Sequence, residues 1–261
     1  PYVIVLSLRC NSGGHQKETR RKRNVLDEAS KEEQANARKD RTPPKGGGHD
    51  LLVLVPSLVS IVLASFWMVN LATKLAARWK CFIQDVPGAL DQLAGMKASW
   101  AAAGHAAADL YATAWVCGCV LQPGEPADSP RAVLQSGPRA ATLLHRAADA
   151  EQQGWQNTMH VAPDGIADEV NGYLELARHF APADARYLFN HRGHFVFVKP
   201  EERRFITAEL IRRTTFTATE QALTQRVEAL RSAGWNQIVI PIVPGQEAAL
   251  EDWARVKAAF Q

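Results

Sequence analysis

The sequence is poor in several things that usually announce a function. It has four cysteines in 261 residues, Cys10, Cys81, Cys117 and Cys119. These are too few and too scattered for a disulfide scaffold, and they suit a reducing, cytoplasmic setting. There is no GxxxxGK[ST] phosphate loop, no GxSxG nucleophile elbow and no GxGxxG dinucleotide fingerprint. The opening PYVIVLSL lacks the basic start and small-residue cleavage site of a signal peptide and reads as a short strand. An excess of charge is missing from most of the chain. Residues 1–50 hold eleven Lys/Arg against seven Asp/Glu, a net of +4, while the whole chain is +3, so residues 51–261 carry −1. A near-neutral body has no electrostatic footprint for nucleic acid, and no such partner is expected. The first residue is Pro1 rather than Met, which reads as a processed, truncated or incomplete start.

Two regions separate by composition. Residues 1–50 are polar and basic, with RRKR at Arg20–Arg23 and PPKGGG at Pro43–Gly48. So little apolar content predicts a mobile, poorly ordered, solvated segment. Residues 51–261 form the body. It opens on the uncharged run Leu51–Thr73, long enough to span a bilayer. Pro56 and Asn70 interrupt that run. The favoured reading is a buried strand followed by a helix with Trp67, Leu71 and Leu75 on one face; a membrane anchor through 51–72 is the alternative.

From Asp85 onward helices and apolar strands alternate. The spacing of Leu90, Leu93, Met96 and Trp100 predicts a helix from Val86. Tyr111–Leu121 reads as one continuous strand, with Cys117 and Cys119 as small apolar residues on one face. Arg131–Gly154 reads as a helix interrupted at Gly137–Pro138, and Ala167–Phe180 as another. Ala181–Ala185 is a turn, and His194–Val198 is a short apolar run after a polar segment. Pro200–Arg213 reads as a helix. Thr219 can cap a helix running to Gly234, with Leu223, Val227 and Leu230 on its inner face. Trp235–Val243 reads as a buried strand carrying Pro241, and Glu247–Phe260 as a closing amphipathic helix. This alternation predicts an α/β fold with a parallel sheet.

The tail ALTQRVEALRSAGWNQIVIPIVPGQEAALEDWARVKAAF resembles the end of the luciferase-like flavin-dependent oxidoreductases. The matching residues are Arg226, Leu230, Ala233, Gly234, Gln237, Ile238, Val239, Gly245 and Trp253. TAWVCGCVLQPGEPADSPRAVLQSGPRAATLLHRAAD and ARYLFNHRGHFVFVKPEERRFITAELIRRTTFT are similar to one bacterial branch of that family, and LATKLAARW is a fainter echo. The likeness is strongest over 105–261. It implies a partial or rearranged TIM (β/α)8-like barrel and an oxidoreductase or monooxygenase that uses FMN or a deazaflavin on a small-molecule substrate. The family's early strands have no counterpart before Leu51. Its PxxxGG turn is absent near Pro56, and Thr217–Ala218 stands where Gly-Thr is common. A non-catalytic barrel remnant or assembly partner that has lost its cofactor, self-associating as a homo-oligomer, is the alternative these departures imply.

The densest polar cluster of the body is Asn190–His191–Arg192–Gly193–His194. Read functionally, Asn190, His191 and Arg192 approach a cofactor, Arg192 forks onto a phosphate or carboxylate, and His191 shuttles a proton as the one catalytic candidate. Read structurally, the segment is a turn bonded to its own backbone. Arg213, with Arg212, is a further phosphate-contact candidate. His191 and His194 lack third and fourth ligands within reach of sequence reasoning, so no metal is expected. His145 and His179 are expected at helix surfaces or caps, and Glu201 and Glu202 at a helix start where acids suit the dipole.

Overall fold

The structure is a computed structural model and describes residues 3–8, 78–153 and 165–260. The basic segment, the run Leu51–Thr73 and the alternative span 51–72 lie outside the described residues. No helix among the described residues is long and apolar enough to cross a membrane.

The fold is mixed α/β, with a mostly parallel open sheet and alternating helices. Strand β1 (Val3–Ser7) lies beside β6 (Gln237–Pro241), which lies beside β3 (Ala112–Trp115), which lies beside β2 (Trp79–Phe82). β2 and β3 are parallel, as are β3 and β6; β1 runs antiparallel to β6 with Val3 opposite Pro241. A second parallel ladder joins β4 (Val120–Leu121) to β5 (Ala218–Thr219). Among the described residues no closed ring of parallel strands is seen: β6 has a parallel neighbour on one side and an antiparallel one on the other, and β2 has one neighbour, β3.

Local chemistry sets these elements. Helix α1 (Val86–Ala102) starts at Asp85, whose carboxylate accepts from Gly88 N at 2.7 Å, with Pro87 in the first turn. Its inner face is Ala89, Leu93, Met96 and Trp100; three of the four expected residues lie inward, while Leu90 is exposed and Ala89 takes its place. Helix α6 (Glu220–Ala233) is capped by Thr219 and ends at Gly234, whose φ of 106° is the left-handed conformation a Cβ disfavours. Trp235 N then returns to Leu230 O at 3.1 Å, and the chain enters β6. In β6, Ile238 and Ile240 are buried and their neighbours half-buried, so one face carries the core. Helix α7 (Ala249–Ala258) closes the chain with Trp253 and Val256 inward.

Three further expectations are corrected. Tyr111–Leu121 is not one strand. β3 ends at Trp115 and β4 starts at Val120, because the segment changes partner. Val116 N still bonds Val239 O at 3.0 Å, whereas Cys117 O and Cys119 O already accept from Phe216 N and Ala218 N at 2.8 and 3.2 Å. Burial pushes the Cys117 thiol up to about 11 and Cys119 up to about 12, so both are protonated, apolar filler. Helix α2 (Pro130–Gln152) runs unbroken through Pro138. Fifteen of its 23 residues are buried, and packing on nearly every side outweighs the hydrogen bond that proline cannot donate. Pro200–Arg213 is not a single helix. A short 3-10 turn at Arg203–Phe205 precedes α5 (Ala208–Thr214), which Thr207 caps by accepting from Leu210 N at 3.2 Å.

Two apolar clusters result. One packs α1, α6 and α7 on the sheet, with Trp100, Trp235 and Trp253 fully buried. The other joins α2 to α3 (Ala167–Arg178) and to Phe205–Ile211 around Leu144, Ile166 and Tyr173. The functional candidates lie at the second cluster.

Candidate functional site

α2 is long and buried, and residues four apart on it share a face. His145 and Asp149 are such a pair. Across from them α4 (Arg186–Asn190) ends at Asn190, and His191 follows as its C-cap. Gly193 and Phe195 both take positive φ, 79° and 63°. This tight turn brings His194 back against His191.

The three imidazoles meet through one edge. His145 Nδ1 is 3.1 Å from His194 Nδ1, and His191 Nδ1 is 3.2 Å from the same atom. The three nitrogens lie within 4.8 Å of one another. The far side of two rings is held by carboxylates. His145 Nε2 lies 2.9 Å from Glu202 Oε2, and His191 Nε2 lies 2.6 Å from Asp149 Oδ2.

Behind the imidazoles is a buried polar network. Lys199 and Glu202 are both 0% exposed, with Nζ 2.7 Å from Oε2. Lys199 Nζ also donates to Asn190 O at 2.7 Å, and Lys199 N donates to Glu202 Oε1 at 2.8 Å. Asn190 Nδ2 donates to His145 O and Asp149 Oδ1, and its Oδ1 accepts from Tyr173 OH at 2.8 Å. Lys199 Nζ approaches His145 Nε2 at 3.2 Å. Glu202 is nearer to that nitrogen and is anionic, so His145 is assigned an Nε2 proton donated to Glu202 and a bare Nδ1.

Burial lowers the pKa of His145, and the hydrogen bond to Glu202 only partly opposes it. His194 is lowered to about 4 by burial and by the neighbouring imidazoles. For Glu202 burial acts upward, but hydrogen bonds from His145 and Lys199 prevail and hold it below the ordinary carboxylate value. Burial and the Glu202 charge push Tyr173 well above the usual phenol range. At neutral pH His145 and His194 are therefore neutral, Glu202 is ionised and Tyr173 is protonated.

The sequence-derived candidates divide. Asn190 and His191 are at the cluster's centre, with Asn190 buried as a structural crosslink. Arg192 faces outward, stacked on Phe189 at 4.5 Å and paired with Glu201 at 3.2 Å. Arg213 is exposed on α5, where its Nε bonds Glu209 at 2.7 Å; it is not brought to the histidines. His145, expected at a helix surface, is 1% exposed, because α2 is covered on that side by α4 and the Lys199–Glu202 turn. His179 is an exposed C-cap of α3, as its position implies. Glu202 is not at a helix start near solvent; it is the buried anion of the network.

A second feature was not foreseen. Arg139, on α2, is buried, and its guanidinium bonds only Thr142 Oγ1; among the described residues no carboxylate pairs with it. It lies over the rings of Phe82 and Phe195 at 5.5 and 5.8 Å. Phe82, the last residue of β2, stacks on Trp115, the last of β3, at 4.9 Å. Trp115 Nε1 is buried without a partner among the described residues. Arginine and aromatic rings thus gather at the carboxyl ends of two parallel strands, where α/β sheets bind ligands.

No protein-family profile and no curated protein matches this chain.

Proposed function

We propose that the chain is a flavin- or deazaflavin-dependent oxidoreductase of the luciferase-like type, carrying the carboxyl-terminal part of a TIM-like barrel and acting on a small-molecule substrate. The observation that carries this reading is Arg139, a buried cation without a carboxylate among the described residues, beside stacked Phe82 and Trp115 at the ends of β2 and β3. A buried charge left unpaired is costly, and a planar anionic cofactor supplies both a counter-ion and a stacking partner. Parallel pairing of β2, β3 and β6 through the segments that carry the resemblance supports the same reading.

The fit is to the anionic part of such a cofactor. Arg139 would hold a phosphate or a ring oxygen, and Trp115 Nε1 is a spare donor nearby on β3. The amides of Phe216 and Ala218 are taken by Cys117 and Cys119 carbonyls. The phosphate would therefore rest on the guanidinium rather than on a backbone nest. When bound, the cofactor supplies the hydride or oxygen chemistry; the protein's task is to bind and orient it and to exclude water.

Titrating FMN, and separately a 5-deazaflavin phosphate, into the purified full chain tests this. Saturable fluorescence quenching by one of them is expected, weakened at least roughly tenfold by Arg139→Gln, the loss of one charge-assisted contact. No saturable binding of either compound would overturn the reading.

The second reading, a cofactor-free partial barrel, is favoured by the open sheet, whose outer strands among the described residues expose Val3, Val5 and Phe82. Such edges invite pairing between copies. It predicts self-association on a sizing column together with silent titrations.

A further inference from the structure

We propose that His145, His191 and His194 form a three-imidazole site for a divalent first-row transition ion, with zinc the expected occupant. The inference does not rest on the flavin reading.

Geometry carries the argument: two imidazole nitrogens converge on a third, and the other nitrogen of each of those two rings is held by a carboxylate. A neutral imidazole has one N–H. His191 Nε2 is 2.6 Å from Asp149 Oδ2, and His145 Nε2 is 2.9 Å from Glu202 Oε2. In the neutral form that binds a metal, each ring gives its one proton to its carboxylate, which leaves both Nδ1 atoms as bare lone pairs. Both bare atoms then point at His194 Nδ1, from 3.1 and 3.2 Å. His194 can direct at most one proton, along one of those two lines. At least one close contact is then lone pair to lone pair, a repulsive arrangement with no donor among the described residues to relieve it. One cation between the three nitrogens gives all of them a common partner.

The dimensions agree. Nitrogens bound to zinc at 2.0–2.1 Å in a tetrahedral site are ~3.3 Å apart, close to the two observed separations. The surroundings agree as well. Metal-bound histidines usually donate their other N–H to a carboxylate, which fixes the tautomer and raises ligand basicity. Asp149 does this for His191 and Glu202 for His145. Glu202 is itself fixed by Lys199 Nζ and Lys199 N. Imidazole donors suit zinc, copper or nickel over magnesium or calcium, which want oxygen. Three protein ligands leave a fourth position for water or a substrate atom, as in catalytic rather than structural zinc sites. His191 is 36% exposed, so the site has a route to solvent.

The experiment is a zinc titration of the chelator-treated full chain against a chromophoric competitor. Binding of one zinc per chain with a dissociation constant in the micromolar range or tighter is expected. His191→Ala and His194→Ala, at half-exposed positions, should each weaken it by more than roughly a hundredfold. Asp149→Asn, which touches no metal, should weaken it by roughly 10–100-fold as the loss of an outer-shell partner. Circular dichroism of each variant checks that it is folded. A chain that takes up no zinc overturns the proposal. So does stoichiometric zinc that survives either histidine substitution, since that ion would be held by other residues such as Cys10, His15 or His49.

Discussion

Replacing Lys199 with methionine is expected to destabilise the protein by about 3–5 kcal/mol, the cost of leaving one member of a buried ion pair without its partner. Both members are fully buried, and Lys199 Nζ lies 2.7 Å from Glu202 Oε2. The substitution removes the ammonium and replaces the Cδ methylene with sulfur, keeping an unbranched apolar stem. It leaves the Glu202 carboxylate facing His145 and Tyr173, and it deprives Asn190 O of a donor. The double variant Lys199→Met with Glu202→Leu removes both charges. It should recover part of the loss, because a buried pair replaced by apolar groups is often nearly neutral. Urea unfolding of the two variants beside the parent measures this. A single-variant loss below about 1 kcal/mol would fit an exposed pair and would contradict a buried one.

The second large effect is expected at Gly118. A Cβ built there would sit 2.1 Å from Phe216 O and 2.3 Å from Phe216 C, both backbone atoms. Neither can swing aside as a side chain can. Gly118→Ala must therefore part the two segments that meet through Phe216 N and Cys117 O, bonded at 2.8 Å. The expected cost is about 3 kcal/mol, the upper end for overpacking, or roughly 6–12 °C in melting temperature for a chain of this size. Gly95, where an added Cβ would meet no atom within 4 Å beyond its own helix backbone, is the control. Gly95→Ala in the exposed middle of α1 should be neutral or slightly stabilising. Equal melting of the two variants would mean that the β4–β5 junction is not packed as described.

What the sequence revealed, and what it hid, follows from the range of the interactions. Thr219, Leu223, Val227, Leu230 and Gly234 state a helix with both ends in sixteen residues, and the structure has it. Ser129 and Pro130 open α2 by equally local means. The fate of Pro138 was not local: continuity of α2 depends on burial against Val198 and Ile206, which a window around Gly137–Pro138 does not contain. Partner exchange at Val116–Cys119 likewise depends on Val239 and Phe216, about a hundred residues away.

The site follows the same rule. Asn190, His191 and His194 were legible as a polar cluster because they are adjacent in sequence. His145 was not, since 46 residues separate it from His191 and its helix reads as amphipathic. One signal was available: His145 and Asp149 are four apart on a helix, the spacing that puts a ligand and a carboxylate on one face. Lys199 and Glu202 gave no signal, because a lysine and an acid after a proline look like a solvated helix start. Arg139 likewise gives no signal in a helix rich in alanine.

The central claim is that His145, from α2, and the turn His191–His194 present three nitrogens to one point. Cobalt absorption spectroscopy of the full chain tests it most directly, since cobalt reports its own coordination geometry. The account predicts the intense visible bands of a four-coordinate cobalt bound at one equivalent, displaced by zinc and abolished by His145→Phe in a protein that remains folded. The faint bands of a six-coordinate ion, or a spectrum that His145→Phe leaves unchanged, would contradict it.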